Sequence, residues 1–321
     1  MIRKDQLPDI WGDDFLIESS GTAHCTEPHV WNVYGEGEAN SRPNKILLFN
    51  EEYRDMLRVG SIENCMAESD DHDALRLVLH EGAEAELYRL QIMAWKRATN
   101  LEVTMMAGSR LRLCTVVLGA EHVRNNIVVR MQGEGCELEA GGLYLMDRDQ
   151  QCDNYIFVEH AVPRCTSHVL YKGIVDDAAR ARFSGHVLVQ DGATKTEALM
   201  TNRNILLTDK AHVDTRPFLE IYNDDVKCSH GSTIGQLDEQ ALFYLQARGI
   251  SRRTAVTMLS YAFCDEVIRG ITVPTLRETV GDMVKKRLHG ELSTPCDECA
   301  IPCSSPCNGE AASFPIDPSK L

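Results

Sequence analysis

Between residues 80 and 226, apolar and polar positions alternate in short runs separated by Gly, Asp or Asn. The pattern is carried by EAELYRLQIM (84–93), LEVTMMAGSRLRLCTVVL (101–118), NIVVRMQGEGCELEAGGLYL (126–145), NYIFVEH (154–160), SHVLYKGIV (167–175) and GHVLVQDGATKTEA (185–198). A period of two reads as strands. The turns between the runs also resemble one another: HEGAEAEL, MAGSRLRL, GEGCELEA, VQDGATKT and LTDKAHVD match at Gly82, Gly108, Gly135, Gly192 and Lys210. The first two intervals are 26 and 27 residues and the last is 18. A loosely fixed period of this size predicts a solenoid, whose repeats bury their apolar faces only by stacking on neighbours. No helical pattern lies between the strands. That favours a parallel β-helix over a leucine-rich repeat and leaves an antiparallel sandwich as the alternative.

The flanks differ in texture. Residues 1–79 mix turn signals with two short helical candidates, Glu51–Val59 and Asp71–Leu79, which Asn50 and Asp70 are placed to cap. Residues 236–289 switch to period 3.6. A first apolar helix over 238–248 carries Ala241, Leu242, Leu245 and two aromatics and ends at Gly249, a left-handed cap. Ser251 caps a second helix, with Ala255, Met258, Leu259, Ala262 and Phe263 as its apolar face, stopped by Gly270. A third opens at Thr275 and aligns Leu276, Val280, Met283, Val284 and Leu288. These helices either cap the end of the solenoid or dock a partner. Residues 290–321 are rich in Pro, Ser and Cys and cannot build a core. The organisation expected is therefore an N-terminal mixed region (1–79), a β-helix core (80–235), a helical domain (236–289) and a flexible Cys-rich tail (290–321).

Composition narrows the function. The chain has 321 residues and a formal charge of −15, with no run of Lys and Arg. A nucleic-acid binder needs a basic face to neutralise phosphates. No stretch approaches the roughly 18 apolar residues of a membrane span, and the opening MIRKDQLPDIWGDD has no apolar core of a secretory signal. A cytoplasmic, reducing location is expected. There the twelve cysteines read as thiols or metal ligands rather than disulfides.

Two constellations carry candidate chemistry. Cys296, Cys299, Cys303 and Cys307 place four thiols within twelve residues of the tail, a donor set suited to zinc or an iron–sulfur cluster. Their spacing matches neither a zinc ribbon nor a bacterial ferredoxin, so a ligand-free tail stays open. In EIYNDDVKCSHG (220–231), Cys228 and His230 lie two apart. On a strand they share a face, and thiolate and imidazole together suit soft or borderline metals. A surface His beside a buried Cys is the plain alternative. The remaining Cys25, Cys65, Cys114, Cys136, Cys152, Cys165 and Cys264 are scattered and read as small core residues. No GxSxG, HExxH or Walker A sequence is present. Asp224 and Asp225 are adjacent, and on a strand would point to opposite faces, which disfavours a carbohydrate-cleaving carboxylate pair.

Residues 199–250, through TNRNILLTDKA, EIYNDDVKCSHG and LDEQALFYLQARGIS, closely resemble the SufB/SufD family of the SUF iron–sulfur cluster assembly system, and the SufD type more than SufB. The resemblance covers about residues 80–289. It implies a right-handed parallel β-helix with a C-terminal helical domain. It also implies a non-enzymatic scaffold that pairs with a SufB-like paralogue through the β-helix and binds a SufC-like ATPase through the helices. A cysteine desulfurase supplies sulfur indirectly, and a transient cluster forms at the subunit interface. His230 falls on the proposed cluster-ligand or interface histidine, with Cys228 beside it. The positions of a functional Cys and Glu in SufB fall on Asn202 and Gly231, neither of which can accept sulfur or act as an acid. A homodimeric scaffold of a minimal SUF-like system is the alternative within the family. The resemblance says nothing of the tail.

Overall fold

The computed structural model describes residues 29–34, 45–49, 66–69 and 74–289. Thirteen strands and three helices lie among them, and every strand pairing is parallel. In chain order the strands are β1 (His29–Val33), β2 (Lys45–Phe49), β3 (Met66–Ser69), β4 (Ala74–Leu79), β5 (Glu84–Met105), β6 (Arg110–Met131) and β7 (Glu137–Met146). They continue as β8 (Gln151–His160), β9 (Thr166–Val175), β10 (Arg180–Val189), β11 (Thr196–Leu206), β12 (His212–Ile221) and β13 (Val226–Gly235).

The chain winds between two ladders, as the alternating runs and the turn repeat predict for a β-helix. One ladder runs β3, β2, the first arm of β5, the first arm of β6, β7, β9, β11, β13. The other runs β1, β4, the second arms of β5 and β6, β8, β10, β12. Glu84 pairs with Arg110, Arg110 with Glu137, Glu137 with Thr166, and Thr166 with Glu197. Successive coils thus lengthen from 26 to 27, 29 and 31 residues, and the last, Glu197 to Lys227, has 30.

One corner explains the turn repeat. Gly82, Gly108 and Gly135 hold φ of 66°, 66° and 71°, the left-handed region that glycine enters without penalty. Their amides donate to Ala107, Glu134 and Pro163 carbonyls on the next coil. The next two places in this column are taken by Arg164 (φ 61°) and Lys195 (φ 56°), whose amides bond Thr194 and Asp225 carbonyls in the same way. Gly192, expected to continue the series, sits three residues earlier in its turn, and Lys210 lies in the turn at the opposite corner.

Inside the solenoid, side chains stack in columns that follow the register. Leu111, Leu138, Ser167 and Ala198 form one such column, and Leu113, Ala140, Val169 and Met200 another. Two tyrosines interlock with two glycines. A Cβ on Gly142 would lie 2.1 Å from the Tyr171 ring, and one on Gly173 2.1 Å from the Tyr144 ring. Ring and glycine thus exchange places between adjacent coils, each ring taking the space the facing glycine leaves.

One expectation fails in the N-terminal flank and another holds only in part in the helices. Asp71–Leu79 does not form a helix: Ala74–Leu79 is strand β4, with alternately buried residues, paired to β1 and β5. ALRLVL has period two, and a neighbouring ladder to join outweighs the Asp70 cap signal. The helical candidate Glu51–Val59 lies outside the described residues, as do Cys25, Cys65 and the tail with Cys296, Cys299, Cys303 and Cys307.

Helices α1 (Glu239–Ala247), α2 (Arg252–Ile268) and α3 (Pro274–His289) start and stop near the expected signals. Asp238 and Ser251 accept the Gln240 and Thr254 amides, and Gly249 is left-handed at φ 84°. The third helix begins at Pro274, a residue whose missing N–H costs nothing there. The helices pack along the outer face of the first ladder, against Tyr88, Leu90, Val116, Leu143, Leu145 and Ile174, rather than over the solenoid end. All five predicted contact residues of α3 are buried. In α2, Ala255 is buried and Leu259 and Phe263 pack against the core as expected, but Met258 and Ala262 are exposed, and Val256, Ser260, Cys264 and Val267 take inward positions. In α1 only Leu242 is buried, and Phe243 and Tyr244 stand in solvent.

Polar anchors fix the helices to the sheet. Lys172, buried on β9, donates to the Phe263 carbonyl (2.9 Å), pairs with Glu266 and lies over the Phe263 ring. Arg287 on α3 pairs with Asp147 at the corner between β7 and β8, and also reaches Gln150 Oε1 (3.2 Å). Among the described residues no helix is long and apolar enough to cross a membrane.

Candidate functional site: the terminal coil

The last coil, β12 and β13, lies at the end of both ladders. Inward columns of the first ladder finish on β13. Ala198 is followed by Cys228, Met200 by His230, Asn202 by Ser232 and Asn204 by Ile234. Cys228 and His230 therefore share one face, as their spacing predicts. Cys228 is half-buried and packs against the edge of the solenoid core, whereas His230 is exposed. Burial pushes the Cys228 thiol up, against the pull of the Ala198 backbone. Val226 and Cys228 are the last positions of the strand with any cover; every residue from Ser229 to Gly235 is exposed.

A buried polar network holds the second half of this strand from beneath. Tyr144 Oη donates to Asn204 Oδ1 (2.5 Å), Asn204 Nδ2 donates to Asn202 Oδ1 (2.7 Å), and Asn202 Nδ2 donates to the Tyr171 carbonyl (3.2 Å). Asn204 Nδ2 also lies 3.4 Å from the Thr233 carbonyl of β13. Asn202 is fully buried and points into the solenoid. Gly231 pairs with Thr201 on the opposite face. The 29-residue separation of 202 and 231 is thus one short of the local register, in which Asn202 pairs with Ser232.

The rim of this end is apolar and open. Phe218, Ile221, Tyr222 and Ile234 are among the large exposed hydrophobic residues. On the outer face of the second ladder, His186 sits edge-on between Phe157 and Phe218, with Glu220 Oε1 3.5 Å from Nε2. Burial holds its pKa below the ordinary value, partly offset by Glu220. Nothing in the sequence marked His186; the only trace is the in-register spacing of Phe157, His186 and Phe218. Asp224 and Asp225 lie in the turn before β13, both exposed, and Asp225 serves the corner by accepting the Lys195 amide (2.6 Å).

Among the described residues no three or more His, Cys, Asp or Glu side chains converge to hold a metal ion. Cys228 and His230 supply two donors, and Asn202 behind them supplies no thiol.

The chain is thus a parallel β-solenoid with helices on its side and an open terminal coil that carries a thiol and an imidazole. The family follows from comparison. The model of the SUF system FeS cluster assembly SufBD core domain matches residues 53–263, and the chain belongs to this family. It is 40% identical over 174 residues to iron–sulfur cluster assembly protein SufD of Escherichia coli, a match covering 54% of this chain and 41% of that one. An iron–sulfur cluster assembly SufBD family protein of Mycobacterium leprae is 40% identical over 176 residues, 52% of this chain and 45% of the relative. The chloroplastic protein ABCI7 of Arabidopsis thaliana is 31% identical over 274 residues, 81% of this chain and 57% of the relative. The chain spans about half the length of the curated relatives it matches.

Proposed function

We propose that this chain is a non-enzymatic, SufD-type scaffold subunit of a cytoplasmic SUF-type complex, working through its terminal coil. The observation that carries this reading is the placement of Cys228 and His230 on the inward face of an edge strand ringed by exposed apolar side chains. An edge strand presents unpaired N–H and C=O groups, a template for another chain. Large exposed apolar patches mark interaction surfaces. A SufB-like paralogue adding its own terminal coil would satisfy both.

The iron–sulfur cluster is cargo in this scheme. Imidazole and thiolate are good iron and soft-metal donors. Two donors on one strand leave the remaining coordination positions to the paralogue. Cys228 must lose its proton to ligate, so cluster contact there would release one. Sulfur would arrive from a cysteine desulfurase through the paralogue, because Asn202 cannot carry a persulfide.

The helices serve a second partner, a SufC-like ATPase. Phe243, Tyr244 and Met258 are exposed, and aromatic and Met side chains are favoured anchors at protein interfaces. Lys172 and the Arg287–Asp147 pair tie those helices to the sheet that ends in β13, so a pull on the helices reaches the solenoid. Co-expression with a SufB-type paralogue and a SufC-type ATPase tests the reading. Both should co-purify with the chain. Phe243→Ala with Tyr244→Ala should release the ATPase and keep the paralogue. A stable self-dimer that assembles a cluster without the paralogue would replace this reading with the homodimeric scaffold.

A further inference from the structure

We propose that Cys136 and Cys165 form a dithiol that hydroperoxides oxidise to a disulfide joining two successive coils. The site is independent of the terminal coil and of its proposed role. In sequence the two residues are 29 apart and look unrelated. The fold makes that distance one coil: Glu137 pairs with Thr166, and the Thr166 amide donates to the Cys136 carbonyl (2.8 Å). Each cysteine follows a left-handed residue, Gly135 or Arg164, so the two turns share a shape and the thiols project alike.

Both sulfurs converge on one atom. Cys136 Sγ lies 3.0 Å and Cys165 Sγ 3.4 Å from the Gly133 carbonyl oxygen. Cys136 Sγ also lies 3.1 Å from the Met106 carbonyl oxygen, and Ser109, one coil back, lies 3.6 Å from Cys136 Sγ. Adjacent strands are about 4.8 Å apart, within the Cα separation of about 4.4–6.8 Å that a disulfide bridges. The pair is also chemically polarised. Donation from Cys165 and Ser109 draws the Cys136 thiol down to about 7, while the same contact pushes Cys165 up. That polarity would make Cys136 the attacking thiol and Cys165 the resolving one. Both sulfurs are buried beneath turns whose Glu134 and Arg164 side chains are exposed and paired with each other.

The chemistry balances with a hydroperoxide as oxidant. The Cys136 thiolate attacks the peroxide oxygen, the O–O bond breaks, and a sulfenic acid forms as ROH leaves with a proton. Cys165 sulfur then attacks the sulfenic sulfur, the S–O bond breaks, and water leaves with the thiol proton. The two sulfurs lose two electrons and the peroxide gains them.

Tryptic mapping tests this in the full chain. Cleavage after Arg130, Arg148, Arg164 and Lys172 places Cys136 in 131–148 and Cys165 in 165–172, with Cys152 on a separate peptide. Reduced, folded protein treated with hydrogen peroxide and then alkylated should yield the linked pair, lighter by two hydrogens than its parts. Cys136→Ser and Cys165→Ser should each abolish it, and Cys165→Ser should leave a dimedone-reactive Cys136. Ser109 already occupies this column, so serine fits there; a variant that fails to fold is replaced by comparing native with urea-unfolded wild type. A link absent from folded protein, or formed only after unfolding, overturns the proposal. So does a Cys136 unreactive to dimedone in folded Cys165→Ser.

Discussion

The pair that ties α3 to the solenoid gives a quantitative test of how the two parts are joined. Arg287 and Asp147 are almost fully buried, and Gln150 Oε1 sits against both, accepting from Arg287 Nη2 (3.2 Å) and from the Asp147 amide (3.1 Å). Burial alone pushes the Asp147 carboxyl up and Arg287 down, and each partner opposes the other's shift. At an effective dielectric of about 20, unit charges some 4 Å apart attract by about 4 kcal/mol. Removing one partner strands the other, at a typical cost of about 3–5 kcal/mol. Arg287→Met and Asp147→Asn should each lose about that much. The double variant should lose much less than the sum, with a coupling of about 2–3 kcal/mol. Equilibrium urea unfolding, followed by far-UV circular dichroism at fixed m-value, measures all four corners of the cycle. Single losses under about 1 kcal/mol, or a coupling below about 0.5 kcal/mol, would refute the reasoning.

Two further outcomes are expected. His160 is fully buried, its Nε2 is 2.8 Å from Ser167 Oγ, and burial lowers its pKa to about 4. The unfolded histidine, near 6.5, binds a proton that the folded one refuses. The associated stability is therefore intact above about pH 6.5 and lost as pH falls toward 4, by about 3 kcal/mol. His160→Gln should flatten that slope in denaturation series between pH 7 and 4, and an unchanged slope would remove His160 as its source. Changing Cys296 and Cys299 to Ser should lower the metal content of anaerobically purified full chain, measured by elemental analysis; equal content would retire the tail as a metal site.

The solenoid was legible because period-two runs and glycine corners are local signals. They fail where a tertiary neighbour decides. Gly82, Gly108 and Gly135 announced the corner, but Arg164 and Lys195 hold the same left-handed geometry with side chains that do not advertise it. Strand β4 looked helical because its cap signal is local and its partners, β1 and β5, are not. The buried face of α2 contains Thr257, Ser260 and Cys264 beside Ala255, so an apolar stripe marks only part of it. At the terminal coil, the i, i+2 spacing was enough to put Cys228 and His230 on one face. The Tyr144–Asn202–Asn204 network and the Lys172 anchor were invisible, since a polar letter does not name the partner that lets it be buried. The cysteines divide along the same line: spacing along the chain separated Cys136 from Cys165, and only coil geometry reunites them.

The central claim is that the open face of β13 is the working surface of the scaffold. Its most direct test is cluster maturation by the co-purified complex, comparing wild type with His230→Ala under anaerobic supply of iron, cysteine and ATP, and monitoring a recipient apo-protein. The exposed His230 carries no fold-stabilising contact that its loss would remove, so the complex should assemble with its ATPase bound while cluster delivery falls sharply. Delivery at the wild-type rate by a fully assembled His230→Ala complex would contradict the account.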